Sequence, residues 1–147
     1  MENFILILTA ITLMIGTSTI TYVSLRYIWR RLPNIAHPRT RAMTAVMSVF
    51  AVHFVNIGLY AVAFYGLTHV MAKESLLSFA DYYYFASTTY AAMGNSNTVS
   101  ILSELRLLTA LEAVNGIVLI IASVGFIHAV TKRLFLDNTL KETAGRS

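Results

Sequence analysis

The chain has 147 residues, is 56% hydrophobic and 12% charged, carries a formal net charge of +4, and has a mean hydropathy of +0.65. A soluble globular domain carries about twice that charged fraction, so this composition excludes one and points to a membrane protein. The absence of cysteine excludes disulfides and thiolate metal sites, without identifying a compartment.

The charges are also clustered: residues 3–25, 42–72, 82–103 and 113–131 contain no Asp, Glu, Lys or Arg. About 20 apolar residues are enough to cross a bilayer. The pattern predicts an all-α membrane protein with three transmembrane helices, a re-entrant pore helix and a loop, and no separate soluble domain. The first span is read over 1–25. Only Glu2 precedes its apolar run, and the run is longer than a signal-peptide core, so it is expected to be a retained helix. Thr9, Thr12, Thr17, Ser18, Thr19 and Thr21 are read as packing residues that bond to preceding carbonyls or neighbouring helices.

Residues 26–41 are read as a basic cytoplasmic loop, with Arg26, Arg30, Arg31, Arg39 and Arg41, no acid, and prolines at 33 and 38. The tail adds Lys132, Arg133, Lys141 and Arg146, whereas only Lys73 and Arg106 lie between the second and third spans. That asymmetry puts loop and tail in the cytoplasm and the N-terminus outside. Tyr27 and Trp29 fall at headgroup level. The same five loop arginines are candidate contacts for anionic lipids, although a topology signal is the simpler reading.

The pore module is read over 42–147, beginning with an outer helix over 42–72. His53, Asn56 and Tyr60 share one face of it and are expected to bond to other helices. The next stretch, pore helix and filter over 76–99, is the one that cannot be an ordinary span. Ser78 and Asp81 give a helix start, aromatic residues follow, and from Ala91 the side chains shrink to Ala-Met-Gly-Asn-Ser-Asn. Non-helical backbone survives in a membrane only where protein buries it or where it lines a water-filled cavity. A short helix followed by exposed carbonyls between two spans is the build of a cation-selectivity filter.

The inner helix is read over 104–133, with a short cytoplasmic tail after it. Glu112 and Asn115 share a face of this otherwise apolar helix. Glu112 is read as a support behind the filter before a direct ion contact, and Asn115 as a candidate cavity residue. Gly116 and Gly125 permit close helix approach or a bend, which makes them candidate gate positions. Glu104 is a candidate for an outer ring of carboxylates, a solvated surface group being the plainer reading.

Thr88-Thr89-Tyr90 and Arg106-Leu-Leu-Thr-Ala-Leu-Glu112-Ala-Val-Asn115-Gly116 carry a resemblance. Residues 81 to about 133 resemble the pore domain of the two-transmembrane potassium channel family, especially small bacterial members with an extra N-terminal helix. The family's pore helix leads into Thr-Thr-Leu-Gly-Tyr-Gly-Asp, and its inner helix begins Arg-Leu-Leu-x-x-x-Glu-x-x-Asn-Gly. The resemblance implies a homotetramer in a prokaryotic inner membrane, with Thr88, Thr89, Tyr90 and Glu112 supporting the filter. It implies no cofactor beyond permeant monovalent cations, potassium or sodium, and no metal site apart from them.

The filter itself departs from the family pattern. Ala92, Met93, Gly94, Asn95, Ser96 and Asn97 stand where the family has Thr-Val/Leu-Gly-Tyr-Gly-Asp, and Gly94 alone is kept. Ala92 lacks the coordinating hydroxyl, Ser96 puts a Cβ where the family has glycine, and Asn97 removes a carboxylate. The expectation is a tetrameric cation channel with weakened or altered potassium selectivity. The alternative is a non-conducting subunit that assembles with a partner channel. An enzyme is disfavoured, since no HExxH motif and no His–carboxylate pair at helical spacing occurs.

Overall fold

The computed structural model describes residues 2–35, 37–71, 77–93 and 105–144. They form four helices: α1 (Glu2–Arg31), α2 (Pro38–Met71), α3 (Phe79–Tyr90) and α4 (Arg106–Ala144), with a 3-10 turn over Leu32–Asn34. No strand occurs among the described residues. Among the described residues, three stretches are long and apolar enough to cross a membrane: Phe4–Arg31, Pro38–Met71 and Arg106–Leu136.

The basic segment between the first two spans is more helical than its prolines predict. α1 continues through Arg31, because Arg, Tyr, Ile and Trp all tolerate helix and the cations at 30 and 31 complement its negative end. Pro33 then stops it, and the last residues tighten into the 3-10 turn. Pro38 opens α2 at a position where its missing N–H costs nothing. The Arg41 guanidinium donates to the Ile35 and Pro33 carbonyls and holds this short turn closed. At the other end, α4 runs on to Ala144, so residues 134–144 continue the helix rather than leaving it as a tail.

Each long helix buries one narrow stripe. On α1 it is Leu6, Ala10, Thr17 and Thr21; on α4 it is Leu108, Glu112, Asn115, Leu119, Ser123 and Val130, with Leu105 buried just before it. These repeats of three and four residues are one helical face. The other faces are apolar and open, with Phe4, Ile15, Phe54, Val118, Ile121 and Val124 all exposed. A water-soluble surface does not carry so much exposed apolar side chain; lipid or further protein covers it.

α3 is the short element that the long helices surround. Its 12 residues extend about 18 Å, too little for a bilayer core of about 30 Å. Ser78 opens it, and its N–H and hydroxyl both donate to Asp81 Oδ2, at 2.8 and 2.7 Å. Those two bonds hold the exposed Asp81 carboxyl below its ordinary range. Tyr82, Phe85, Ala86, Thr89 and Tyr90 face inward. Phe85 meets Phe64 of α2 edge-on with centroids 5.1 Å apart, and Tyr82 meets Tyr65 at 5.6 Å. α3 packs against both α2 and α4.

Candidate functional site

The candidate site begins where α3 ends. Ser87 and Thr88 turn their hydroxyls back onto their own helix: Ser87 Oγ donates to Tyr83 O at 2.7 Å, and Thr88 Oγ1 to Phe85 O at 2.9 Å. Thr89 and Tyr90 are buried. Beyond Tyr90, Ala92 N–H donates to Thr89 O at 2.8 Å and Met93 N–H to Thr88 O at 3.0 Å. Two such nested bonds, closed around a left-handed residue, form a Schellman cap. The left-handed residue is Ala92, at φ 53, where glycine is the usual occupant. Ala92, the first of the expected filter residues, is therefore a turn residue. Met93 follows with 77% of its surface exposed. Gly94, Asn95, Ser96, Asn97 and Glu104 lie outside the described residues.

The Tyr90 side chain runs the other way, into the protein. Its hydroxyl lies 3.0 Å from His53 Nδ1 and receives a long bond, 3.5 Å, from Asn56 Nδ2. A tyrosine that accepts from Asn56 still has its own proton for His53. The expected interhelical role for His53 and Asn56 is thus met by one partner, at the end of α3.

Asn56 Nδ2 also donates to Thr21 Oγ1 of α1 at 2.8 Å. One turn away a matching bond forms: Asn115 Nδ2 of α4 donates to Thr17 Oγ1 at 2.8 Å and to Tyr60 OH at 3.0 Å. Thr17 passes its own proton to Leu13 O at 2.7 Å. Asn115 is almost wholly buried, and its Nδ2 ties α4 to α1 and α2. The result is a polar seam through all four helices. Thr17 and Thr21, expected to bond to preceding carbonyls or neighbouring helices, do so here, but their particular partners were not named from sequence. The signal was present in matched spacing: Thr17 and Thr21 are four apart, and so are Asn56 and Tyr60.

Glu112 sits one turn before Asn115, with no exposed surface. Among the described residues neither of its carboxyl oxygens has a hydrogen-bond partner, and the same holds for Asn56 Oδ1. Buried polar atoms of this kind are costly and are kept for a reason beyond packing.

The two candidate gate glycines differ. A Cβ on Gly116 would stand 2.1 Å from Tyr90 O and 2.9 Å from Tyr90 C. Gly116 is where the end of α3 rests directly on α4, a contact only glycine admits. Nothing lies within 4 Å of a Cβ on Gly125. At the Arg-rich end, Arg133 of α4 lies over the Trp29 ring and Arg31 over Tyr27, both at 5.2 Å. Among the described residues, no group of three His, Asp or Glu is placed to hold a metal ion.

Comparison with known proteins returns a match to a family described as an ion channel, over residues 49–133. No curated protein matches the chain, and no solved structure does.

Proposed function

The chain belongs to the ion-channel family, with a pore module of the two-transmembrane potassium-channel type, and from that premise we propose that it is a cation-conducting tetramer with altered potassium selectivity. The observation that carries this reading is the contact between Tyr90 and Gly116. It fixes the carbonyl end of α3 against the N-terminal third of α4. Four such ends around one axis would turn their negative dipoles toward a shared centre and favour a cation there.

On this reading α3 is a re-entrant pore helix, and residues 92–97 form the filter lining behind it. Thr88, Thr89, Tyr90 and Glu112 support that loop. The exposed stripe Val114, Val118, Ile121 and Val124 faces the axis and the partner copies. Below Val124 that stripe continues to the exposed His128. Potassium and sodium are the permeant ions, and no cofactor is needed. The charge asymmetry supports an outside N-terminus and a cytoplasmic C-terminus, and the resemblance to small bacterial channels supports residence in a prokaryotic inner membrane. The five arginines of residues 26–41 meet anionic headgroups. Membership of a channel family makes ion passage, not chemical turnover, the activity to test.

The purified protein in a planar bilayer, with potassium on one side and sodium on the other, tests the proposal. Discrete currents reversing near zero are expected. Reversal at the potassium equilibrium potential would refute the altered selectivity. Ala92→Thr, Asn95→Tyr, Ser96→Gly and Asn97→Asp together restore the family filter and are expected to raise potassium selectivity.

A second reading, a non-conducting subunit of a partner channel, is favoured by one specific feature. Ala92 opens the candidate filter as a strained turn instead of a carbonyl-lined strand. Silence of the pure protein, relieved only by co-expression with a second channel chain, would select it.

A further inference from the structure

The exposed stripe of α4 ends in a polar side chain. His128 follows Val114, Val118, Ile121 and Val124 at steps of three and four residues, which keeps it within about 40° of Val114 around the helix. It lies inside the membrane-spanning stretch Arg106–Leu136, on the side away from Asn115, Leu119 and Ser123, which are buried against the protein. The other two histidines of the spans are engaged: His53 lies against the Tyr90 hydroxyl, and His69 donates to the Tyr65 carbonyl. His128 is exposed and forms no hydrogen bond, ion pair or ring contact with any described residue. Hydrocarbon gives an imidazole nothing to bond to, and polar side chains within a span face protein or water. On the tetrameric reading, this stripe turns one His128 from each chain to the water of the conduction path.

We infer that four copies of His128 hold one divalent transition-metal ion, nickel or copper, on the axis below the filter. The inference rests on the tetrameric reading. A single chain brings no group of three ligating side chains together among its described residues, but a site on the axis needs only one from each chain. The donor set chooses the metal. No Asp or Glu occurs from residue 113 to residue 136, so the carboxylates that calcium and magnesium sites use are missing and imidazole is offered instead. A fourfold axis sets four equivalent nitrogens in a square, which nickel and copper accept and four-coordinate zinc, being tetrahedral, does not. Lys132 is exposed one turn further on, on the same side. Its ammonium repels any cation in the path, so an ion attracted by charge alone gains nothing there, whereas one bound directly by imidazole does. The long stem of Lys132 also lets that ammonium swing outward to water. A metal seated in this ring closes the conduction path.

The full chain, purified without a histidine tag, is sized in detergent by light scattering and titrated with nickel or copper ions. One ion per four chains is expected, and bound copper is expected to show the electron spin resonance splitting of four equivalent nitrogens. His128→Gln should abolish this binding, and His37→Gln with His69→Gln should leave it. A tetramer that binds neither ion, or binds them equally well after His128→Gln, overturns the inference and leaves the tetramer standing. An assembly that is not fourfold overturns the tetrameric reading, and the inference with it. Copper held by fewer than four equivalent nitrogens overturns the axial site from the unsubstituted protein alone, so the test decides even where a variant fails to fold.

Discussion

Gly116→Ala adds one methyl group and puts it where the structure has none to spare. The new Cβ would stand 2.1 Å from Tyr90 O, against 3.4 Å or more for an ordinary contact, so about 1.3 Å must be recovered. The obstacle is backbone at the end of a capped helix, not a side chain that can rotate away. Overpacking of this kind costs about 1–3 kcal/mol, and more where backbone must shift. Alanine's better helix propensity returns about 1 kcal/mol, which leaves a net loss at the upper part of that range. Gly66→Ala and Gly125→Ala are the controls, since nothing lies within 4 Å of either new Cβ. Thermal unfolding in detergent, followed by circular dichroism, should show a lowered midpoint for Gly116→Ala alone. Exchange protection of the Ala92 and Met93 amides, which depend on the Thr89 and Thr88 carbonyls, should fall in the same variant. If Gly116→Ala unfolds with the controls, α3 does not rest on α4 as described, and the reasoning fails.

Ala92→Gly should stabilise the fold by about 0.5–1 kcal/mol, because it relieves a left-handed alanine at some cost in unfolded-chain entropy; the same unfolding midpoint measures it. Asn115→Leu should loosen α1 from α4 by about 0.6–1.7 kcal/mol, read as faster proteolysis of the connection between α1 and α2. The Asp81 carboxyl is held below its ordinary value of 3.8 by the two Ser78 bonds, so its stabilisation is present above that value. It should disappear as pH falls through the lowered one, and an acid titration of helix content should show a step that Asp81→Asn lacks.

The class of the fold was legible because hydropathy and charge clustering are long-range signals that tolerate local error. α3 was legible too, since Ser78 and Asp81 mark its start and Ala91 to Met93 its release. Element ends were less so. Arg26 to Arg31 reads as loop by charge, yet arginine is a good helix former and the negative helix end attracts it. The partners of Asn115 were not legible for a different reason. Period alone placed it beside Glu112 on one face, but not which helix that face meets. Its true partners, Thr17 and Tyr60, are 98 and 55 positions away, and one helix's pattern contains no term for them. Gly116 was singled out, but a glycine's use as a contact or as a bend depends on what lies opposite. Only the packed structure supplies that.

The family match begins at residue 49, so α1 lies outside it and invites deletion as an accessory anchor. The polar seam argues otherwise. In water the loss of α1 would be felt first through its apolar stripe, Leu6 and Ala10. In a bilayer lipid chains replace those contacts at little cost, because they are as apolar as leucine. Nothing in the hydrocarbon replaces Thr17 and Thr21, which accept from Asn115 and Asn56. Each amide left without that acceptor costs about 1–3 kcal/mol. Asn56 and Tyr90 share a bond, so part of the loss falls on the end of α3. Deletion of residues 2–31 should therefore lower the unfolding midpoint of the remaining chain by far more than lost apolar contact predicts. The same deletion with Asn56→Leu and Asn115→Leu should recover much of it. If the apolar substitutions restore nothing, the amides are not what ties α1 to the pore module, and its attachment rests on shape alone.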